Sequence, residues 1–215
     1  MSAPTTTVND TRPVITVRSA RGETKAVALV LPGGRADSFD ATTTRQLTGL
    51  RMRPFARSLH RRGGRRGLAV WSVRYRVRGW NGTEMSPLAD VRWVLDEVRR
   101  LHGDVPVILV GHSMGGRTAL RLAGDRSVVG VAALAPWLPD VEPIDQLAGR
   151  DVLIAHGDLD AVTSPKASRR YAERAKSVAR SLDYVTVTGD MHAMVFRWWR
   201  WHRLVDRFVA RVLGR

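Results

Sequence analysis

The sequence predicts an α/β fold in which a mostly parallel β-sheet is flanked by helices on both faces. Short, nearly continuous apolar runs recur along the chain, as is typical of strands buried on both faces of a parallel sheet. Segments with helical spacing of apolar residues lie between these runs. With 215 residues and 44% hydrophobic content, the chain is long enough for one domain around a single core.

Seven apolar runs are the candidate strands. Their lengths, four to seven residues, suit strands better than helices. They are Val14–Val17, Ala26–Leu31, Leu68–Val73, Val105–Val110, Val128–Leu134, Val152–Ala155 and Leu182–Val187.

Five segments carry the helical pattern. Apolar stripes within 52–59 and 88–98 predict the first two, and the second has Ser86 as its N-cap and Pro87 at its first helical position. Arginine lines the polar face of the last segment, so we expect that helix to dock on the sheet, with a position on a membrane surface as the alternative. The other three predicted helices are Arg117–Ala123, Ala167–Ala179 and Met194–Val212.

Domain organisation and location follow from composition. Residues 1–13 are predicted to be a polar tail and residues 14–215 a single domain, because no repeat or low-complexity linker divides the chain. The N-terminus lacks the basic and apolar regions of a signal peptide, and no apolar run approaches the ~20 residues that cross a bilayer. We therefore expect a cytoplasmic protein. The absence of cysteine excludes disulfides and thiolate chemistry.

The net charge of +15 is almost entirely arginine. Such a field attracts anionic substrates, nucleic acid or anionic lipid. Because the charge is spread along the chain, a solvated surface is favoured over a nucleic-acid site. The densest cluster, Arg61–Arg66, contains no aromatic residue on which a base could stack. We expect it at the end of a helix, where cations complement the helix dipole.

The sharpest chemical signal is the pentapeptide Gly111-His112-Ser113-Met114-Gly115, between an apolar run and a predicted helix. A serine on a sharp strand-to-helix turn holds its hydroxyl clear of the sheet. The two glycines let neighbouring backbone approach without a Cβ clash. The helix start presents the Met114 N–H to a developing oxyanion. Ser113 is therefore the candidate nucleophile.

A serine hydroxyl is a weak nucleophile and needs a histidine base that a third group orients. Of the six histidines, His192 follows the run Leu182–Val187, at the strand end where an open α/β sheet gathers its ligands. We expect His112 to point away from the nucleophile and His156 to shape its own loop. The other three are expected on the surface: His60, His102 and His202.

The acid comes from the loop after Val152–Ala155, where Asp158 and Asp160 compete. Asp158 could instead cap the turn, and Asp160 could be solvated. The serine, the aspartates and the histidine follow one another in that order along the chain, each at the end of a predicted strand.

Together these motifs resemble those of the α/β-hydrolase superfamily. Gly111–Gly116 is similar to its nucleophile elbow, and His156–Asp160 is similar to its His-Gly-x-x-Asp acid loop. The resemblance covers residues 26–213 and implies the α/β-hydrolase fold. It also implies that Asp160, not Asp158, is the acid, and that His192 is the base.

The oxyanion loop departs from the family pattern. The family has His-Gly-Gly or His-Gly-x, whereas this chain has Leu31-Pro32-Gly33-Gly34-Arg35, with proline in place of the histidine. The donor is a backbone N–H, so the change is compatible with activity. The alignment makes Gly34 the second oxyanion donor beside Met114, with Arg35 as the alternative.

Residues 135–151 are too few for the helical lid that many relatives insert, so the resemblance implies a small, lidless esterase or thioesterase with an open site. Loops at the carboxyl ends of the strands should line the pocket. Their aromatic and methionine side chains favour an apolar acyl group, and their arginines a carboxylate or phosphate. The candidate substrate-binding residues are Arg35, Arg76, Arg78, Trp80, Trp137, Met191 and Met194.

The sequence thus predicts a serine hydrolase that cleaves an ester or thioester of a small or acyl substrate through an acyl-enzyme on Ser113. Acyl transfer to another nucleophile uses the same residues. A non-catalytic binding protein with a basic surface is the alternative from a different class. No cofactor or metal is expected, because no ligand cluster or nucleotide-binding glycine loop is visible. Nucleic acid is disfavoured as a partner, and the oligomeric state is left open.

Overall fold

The computed structural model describes residues 12–139 and 141–214, so most of the predicted tail, residues 1–13, lies outside the described residues. A seven-stranded sheet has the order β1-β3-β2-β4-β5-β6-β7. β1 pairs antiparallel with β3, and the other neighbours are parallel. All seven predicted strands are confirmed: β1 (Val14–Arg18), β2 (Ala26–Leu31), β3 (Leu68–Arg74), β4 (Val107–His112), β5 (Val128–Leu134), β6 (Asp151–Gly157) and β7 (Ser181–Val187).

Five α-helices cover the two faces of this sheet, as predicted. One core cluster joins α2, α3 and α4 to one face, and a second joins α1 and α5 to the other. Alternation along β2 explains both, because Val27 and Leu29 enter the first cluster while Ala28 and Val30 enter the second. The helices are α1 (Leu47–Gly63), α2 (Ser86–His102), α3 (Met114–Arg121), α4 (Pro165–Ala175) and α5 (Trp198–Val212).

The start of α2 differs from the prediction. Its N-cap is Met85, which has a left-handed φ of 48°, and Ser86 is the first helical residue. The Ser86 hydroxyl does not cap the helix. It donates to Glu84 and accepts a hydrogen bond from the amide of Asn81, because both partners lie in the loop that enters the helix.

The start of α5 is four residues later than predicted. Met194 has φ 57°, which interrupts the helical path, and the carboxylate of Asp190 accepts the N–H groups of Phe196 and Arg197. The segment before Trp198 is therefore a loop. The prediction that His202 lies on the surface is also wrong in part, because its ring stacks on Phe55 of α1 at a centroid distance of 4.1 Å.

The docking of α5 is confirmed. Trp201, Val205, Phe208 and Val209 are buried, and their helix packs on α1 and the sheet. Among the described residues no helix combines the length and apolar character that a membrane span requires. Between β5 and β6 the described residues form a loop with one short 3-10 turn, Asp145–Leu147, so the predicted absence of a lid is confirmed.

Candidate active site

Ser113 sits between β4 and α3 with φ 56° and ψ −118°, a strained left-handed conformation for a residue with a side chain. Its backbone is held on both sides. The Ser113 N–H donates to the carbonyl of Leu134 at 3.0 Å, and the Ser113 carbonyl accepts the N–H of Trp137 at 3.1 Å. The sharp turn expected from the pentapeptide is therefore present.

Glycine is required on both sides of this turn. A Cβ on Gly111 would lie 2.1 Å from the carbonyl oxygen of Gly115. One on Gly115 would lie 2.4 Å from the carbonyl oxygen of Leu31, at the end of β2. All of these atoms belong to backbone, which cannot move aside as a flexible side chain can. The close approach inferred from the sequence is confirmed.

Asp160 and His192 meet at the carboxyl edge of the sheet. His192 Nδ1 lies 2.8 Å from Asp160 Oδ2, and their loops follow the neighbouring strands β6 and β7. The His192 side chain remains 14% exposed, whereas that of Asp160 is fully buried. Asp158, the competing carboxylate, instead accepts the N–H of Gly189 at 2.7 Å and holds the loop.

The Asp160 carboxylate is surrounded by donors. His156 Nε2 lies 3.0 Å from Oδ2, and the Thr163 hydroxyl donates to the same oxygen at 2.9 Å. Oδ1 accepts the N–H groups of Val162 and Thr163. Burial alone raises the pKa of this carboxyl, but the hydrogen bonds from two histidines and two backbone N–H groups outweigh burial and hold its pKa well below the usual range. Asp160 is thus a fixed negative charge beside His192.

His112 is fully buried, and its ring packs against that of His192 with centroids 4.7 Å apart. Its Nε2 lies 2.9 Å from the carbonyl oxygen of His192, so the proton is on Nε2 and the ring donates. Burial, reinforced by the electrostatic influence of His192 and Arg51, lowers the pKa of His112 to about 3. A neutral ring therefore braces the loop that carries His192.

The third contact of the predicted triad is not formed. Within residues 12–139 and 141–214, no hydrogen bond joins Ser113 Oγ to His192 Nε2. Shared neighbours link the two residues. An added Cβ at Gly33 would lie 3.2 Å from Ser113 Cβ and 3.4 Å from His112 Nδ1, and the His112 ring contacts His192. A hydrogen bond thus joins the acid to the histidine directly, and Ser113 shares neighbouring residues with this pair.

Two backbone N–H groups are available beside Ser113. Met114 is the first residue of α3, so its N–H has no partner within the helix. In the described part of the chain, the Gly34 N–H also lacks a protein acceptor, whereas the Arg35 N–H donates to the carbonyl of Arg78 at 2.9 Å. Of the two alternatives from the sequence, only Gly34 keeps a free donor.

The predicted substrate-binding residues occupy different environments. Arg76 is held by Asp90, with Nε 2.5 Å from Oδ1. Trp80 is 3% exposed and packs edge-on against Trp137, and the Arg117 guanidinium lies 3.8 Å from the centre of the Trp80 ring. Arg35, Arg78 and Met191 remain accessible, while Met194 is buried in the core.

Sequence reasoning missed several residues that build this site. Thr163 Oγ1 lies 3.1 Å from His192 Nδ1, and its position three residues after Asp160 in an Asx-type turn was the available signal. Asp190 is fully buried and accepts four donors, two of them given above, with the Met191 N–H and Trp201 Nε1 as the others. Asp190 thereby fixes the loop that carries His192.

No group of three or more potential metal ligands occurs among the described residues.

A mostly parallel sheet, a serine elbow and an aspartate–histidine pair at its carboxyl edge together define the α/β-hydrolase class of proteins. The chain belongs to the Alpha/beta hydrolase family, whose sequence pattern matches residues 28–214. A search of curated proteins found no match.

Solved structures of this class are similar over nearly their whole length. A serine hydrolase without lid from Xanthomonas campestris is 19% identical, with TM-score 0.67 and coverage of 93% of this chain and 88% of that one. Est1E from Butyrivibrio proteoclasticus, with ferulic acid bound, is 16% identical, with TM-score 0.72 and coverage of 94% and 96%. Thermogutta terrifontis esterase 2, phosphonylated by cyclosarin, is 15% identical, with TM-score 0.72 and coverage of 95% and 91%. At these identities the likeness is one of fold.

Proposed function

We propose that this hydrolase cleaves a carboxylic ester or thioester through an acyl-enzyme on Ser113, with His192 as base and Asp160 as the group that orients it. The observation that carries the proposal is the 2.8 Å contact between His192 Nδ1 and Asp160 Oδ2. That contact fixes the tautomer, because Nδ1 carries the proton and Nε2 is free to accept one.

The reaction begins when the Ser113 hydroxyl attacks the substrate carbonyl and His192 Nε2 takes the hydroxyl proton. The oxyanion that forms accepts hydrogen bonds from the N–H groups of Gly34 and Met114. His192 then returns the proton to the leaving alcohol or thiol, which departs and leaves the acyl group on Ser113. Water, activated by the same imidazole, releases the acid and restores the serine.

His192 and Ser113 must meet during this cycle. Hydrogen bonds of catalytic groups are often long in structures without substrate and tighten in the complex. We expect the His192 imidazole to reach Ser113 Oγ when substrate binds, while Asp160 and His112 hold its ring in place.

Two of the structural neighbours support an ester as the substrate. Est1E has been solved with ferulic acid bound, and Thermogutta terrifontis esterase 2 has been solved phosphonylated by cyclosarin. The exposed apolar side chains on the loops around His192 suit an acyl group: Leu159, Val162, Met191, Val195 and Phe196.

A fluorophosphonate probe tests the nucleophile directly, because it reacts with an activated serine and needs no knowledge of the substrate. We expect the wild-type protein to be labelled and Ser113→Ala to be unlabelled. Ser127→Ala is the matched control, since that buried serine lies before β5 and away from the site. Absence of labelling in the folded wild-type protein contradicts the proposal.

Hydrolysis of p-nitrophenyl esters of increasing chain length then identifies the preferred acyl group. We expect turnover that is abolished by Ser113→Ala and by His192→Ala. Turnover that persists in both variants would assign the activity to another site.

A further inference from the structure

A cleft of about 630 Å³ lies beside the oxyanion loop, between α1 and the face of β1 and β3. Pro32, Gly33 and Gly34 are among its lining residues. This volume is typical of a small-molecule site. Six arginines line the cleft, which we call the arginine cleft: Arg18, Arg35, Arg53, Arg57, Arg74 and Arg78.

The arginine cleft has almost no compensating negative charge. No aspartate or glutamate is among its lining residues. Asp40 approaches Arg78 at 3.7 Å from outside and is 72% exposed, so this pair contributes little. Two other arginines have only uncharged partners among the described residues: Arg53 donates to the carbonyl of Thr44, and Arg74 donates to the carbonyl and hydroxyl of Thr42.

Three arginines of the cleft have no polar partner for their side chains within the described residues: Arg18, Arg35 and Arg57. The start of α1 adds to the positive field. Gln46–Gly49 line the same cleft, no side chain caps the helix, and its first turn contains no acidic residue. Free N–H groups and the positive end of the helix dipole therefore face the same space as the guanidinium groups.

The positive charge of the arginine cleft indicates which kind of ligand fits it. One carboxylate neutralises one guanidinium, so a monocarboxylate would leave most of the six arginines without a counter-charge. A phosphate ester carries about two negative charges and three acceptor oxygens, and each oxygen pair fits the planar fork of an arginine. Phosphate is therefore the group that best matches several arginines around one cavity.

The position of the cleft connects it to the proposed reaction. An added Cβ on Gly33 would lie 3.2 Å from Ser113 Cβ, so one of the residues that line the cleft is a direct neighbour of the proposed nucleophile. In the antiparallel register of β1 and β3, Arg74 lies opposite Val14, and Arg18 lies opposite Val70, four residues earlier on β3. The four-residue step from Val14 to Arg18 spans about 13 Å along the strand. Because Pro32–Gly34 and all six arginines line the same cleft, one ligand in it has the oxyanion loop and the arginines within reach.

From these observations we infer that the arginine cleft binds the phosphate of the substrate, which is an ester or thioester whose leaving group carries one or more phosphates. This inference rests on the proposed function for the reaction, but the phosphate site itself does not depend on catalysis. A free phosphate that binds as an effector has the same chemistry, so binding and turnover need separate measurements.

Calorimetric titration of inorganic pyrophosphate into the Ser113→Ala protein tests the site without any reaction. We expect binding that weakens with added salt and becomes at least about tenfold weaker in Arg53→Gln/Arg57→Gln. Arg200→Gln/Arg203→Gln is the matched control, because it removes the same charge from exposed positions on α5 and should bind normally. No binding, or equal loss in both double variants, overturns the phosphate site.

Turnover of two thioesters with the same acyl group separates substrate from effector. Butyryl-CoA carries phosphates in its leaving group, whereas butyryl-N-acetylcysteamine does not. We expect the wild-type KM to be lower for the CoA thioester, and the cleft double variant to raise only that KM. Equal KM values with intact pyrophosphate binding overturn the substrate assignment. Failure of the fluorophosphonate probe to label Ser113 contradicts the proposed function and leaves the pyrophosphate result standing.

Discussion

His112 Nε2 donates a hydrogen bond to the backbone carbonyl of His192 at 2.9 Å, so the residue before the elbow serine braces the loop of the proposed base. The ring is fully buried, and its Nδ1 has no hydrogen-bond partner. The buried imidazole therefore donates one hydrogen bond, from Nε2. A second proton on Nδ1 would be buried without an acceptor, so protonation of the ring is unfavourable.

Stability should therefore depend on pH through His112. The unfolded chain takes up a proton there near pH 6.5, whereas burial lowers the pKa in the folded protein to about 3. Between these values the unfolded state binds more protons, so stability is full above pH 6.5 and falls as the pH is lowered. The expected slope is up to about 1.4 kcal/mol per pH unit.

Urea unfolding of the wild-type protein and of His112→Gln, measured at several values between pH 4.5 and 7.5, checks this dependence. His202 also has a pKa lowered by burial and contributes to the wild-type slope, but it is present in both proteins. The difference between the two slopes isolates His112. Identical slopes would contradict the assignment of a neutral, buried ring.

Thr163→Val should reduce kcat by roughly tenfold, since a hydrogen bond to a charged group contributes about 1.5–3 kcal/mol. The hydroxyl lies 2.9 Å from Asp160 Oδ2 and 3.1 Å from His192 Nδ1, so it positions the pair. Thr163→Ser keeps the hydroxyl and should restore most of the activity. Steady-state kinetics on one ester measure both variants, and a loss in KM alone would argue against a positioning role.

Gly34→Ala should impair both folding and catalysis. The added Cβ would lie 2.3 Å from Met114 Cε and 2.4 Å from the carbonyl oxygen of Arg78, and the latter is backbone. We expect about 1–3 kcal/mol of destabilisation and at least a tenfold lower kcat, because both proposed oxyanion donors shift.

Gly49→Ala is the control for that substitution. Gly49 lies in the first turn of α1 and has no atom within 4 Å of an added Cβ. Alanine there should stabilise the protein by up to about 1 kcal/mol. Thermal unfolding of the two variants should shift in opposite directions, and equal shifts would show that crowding at residue 34 is unimportant.

Asp190→Asn should lower stability by about 2–4 kcal/mol, because an amide nitrogen cannot accept the buried N–H groups that the carboxylate now accepts. The Arg197 N–H and Trp201 Nε1 both point at Oδ2, at 2.9 and 2.8 Å. Asp158→Asn removes charge from an exposed residue in the opposing loop and should be nearly neutral. Amide hydrogen exchange should show the loop of residues 190–197 opening in the first variant and not in the second.

The sequence allowed the strands and the elbow to be predicted because their signals are local. Continuous apolar runs marked the strands of the sheet, and the spacing around Ser113 marked a turn whose close backbone contacts require glycine. The choice of Asp160 over Asp158 needed the family resemblance, since both residues sit in the same turn. The side-chain contacts agree with that choice.

Features that depend on distant residues could not be predicted. The apolar residues of the loop before α5 have helical spacing, but the N–H groups of Phe196 and Arg197 donate to the Asp190 carboxylate instead of to helical carbonyls. The arginine cleft brings together residues from β1, the oxyanion loop, α1 and β3, which are far apart in the chain. Composition showed the excess of arginine and gave no indication that part of it converges on one cavity.

At Ser113 the positive φ lowers the stability of the fold at the same residue that carries the proposed nucleophile. Glycine adopts φ 56° with less strain, so we expect Ser113→Gly to be more stable than the wild-type protein. The serine at this position therefore costs stability, and its proposed role as nucleophile accounts for that cost.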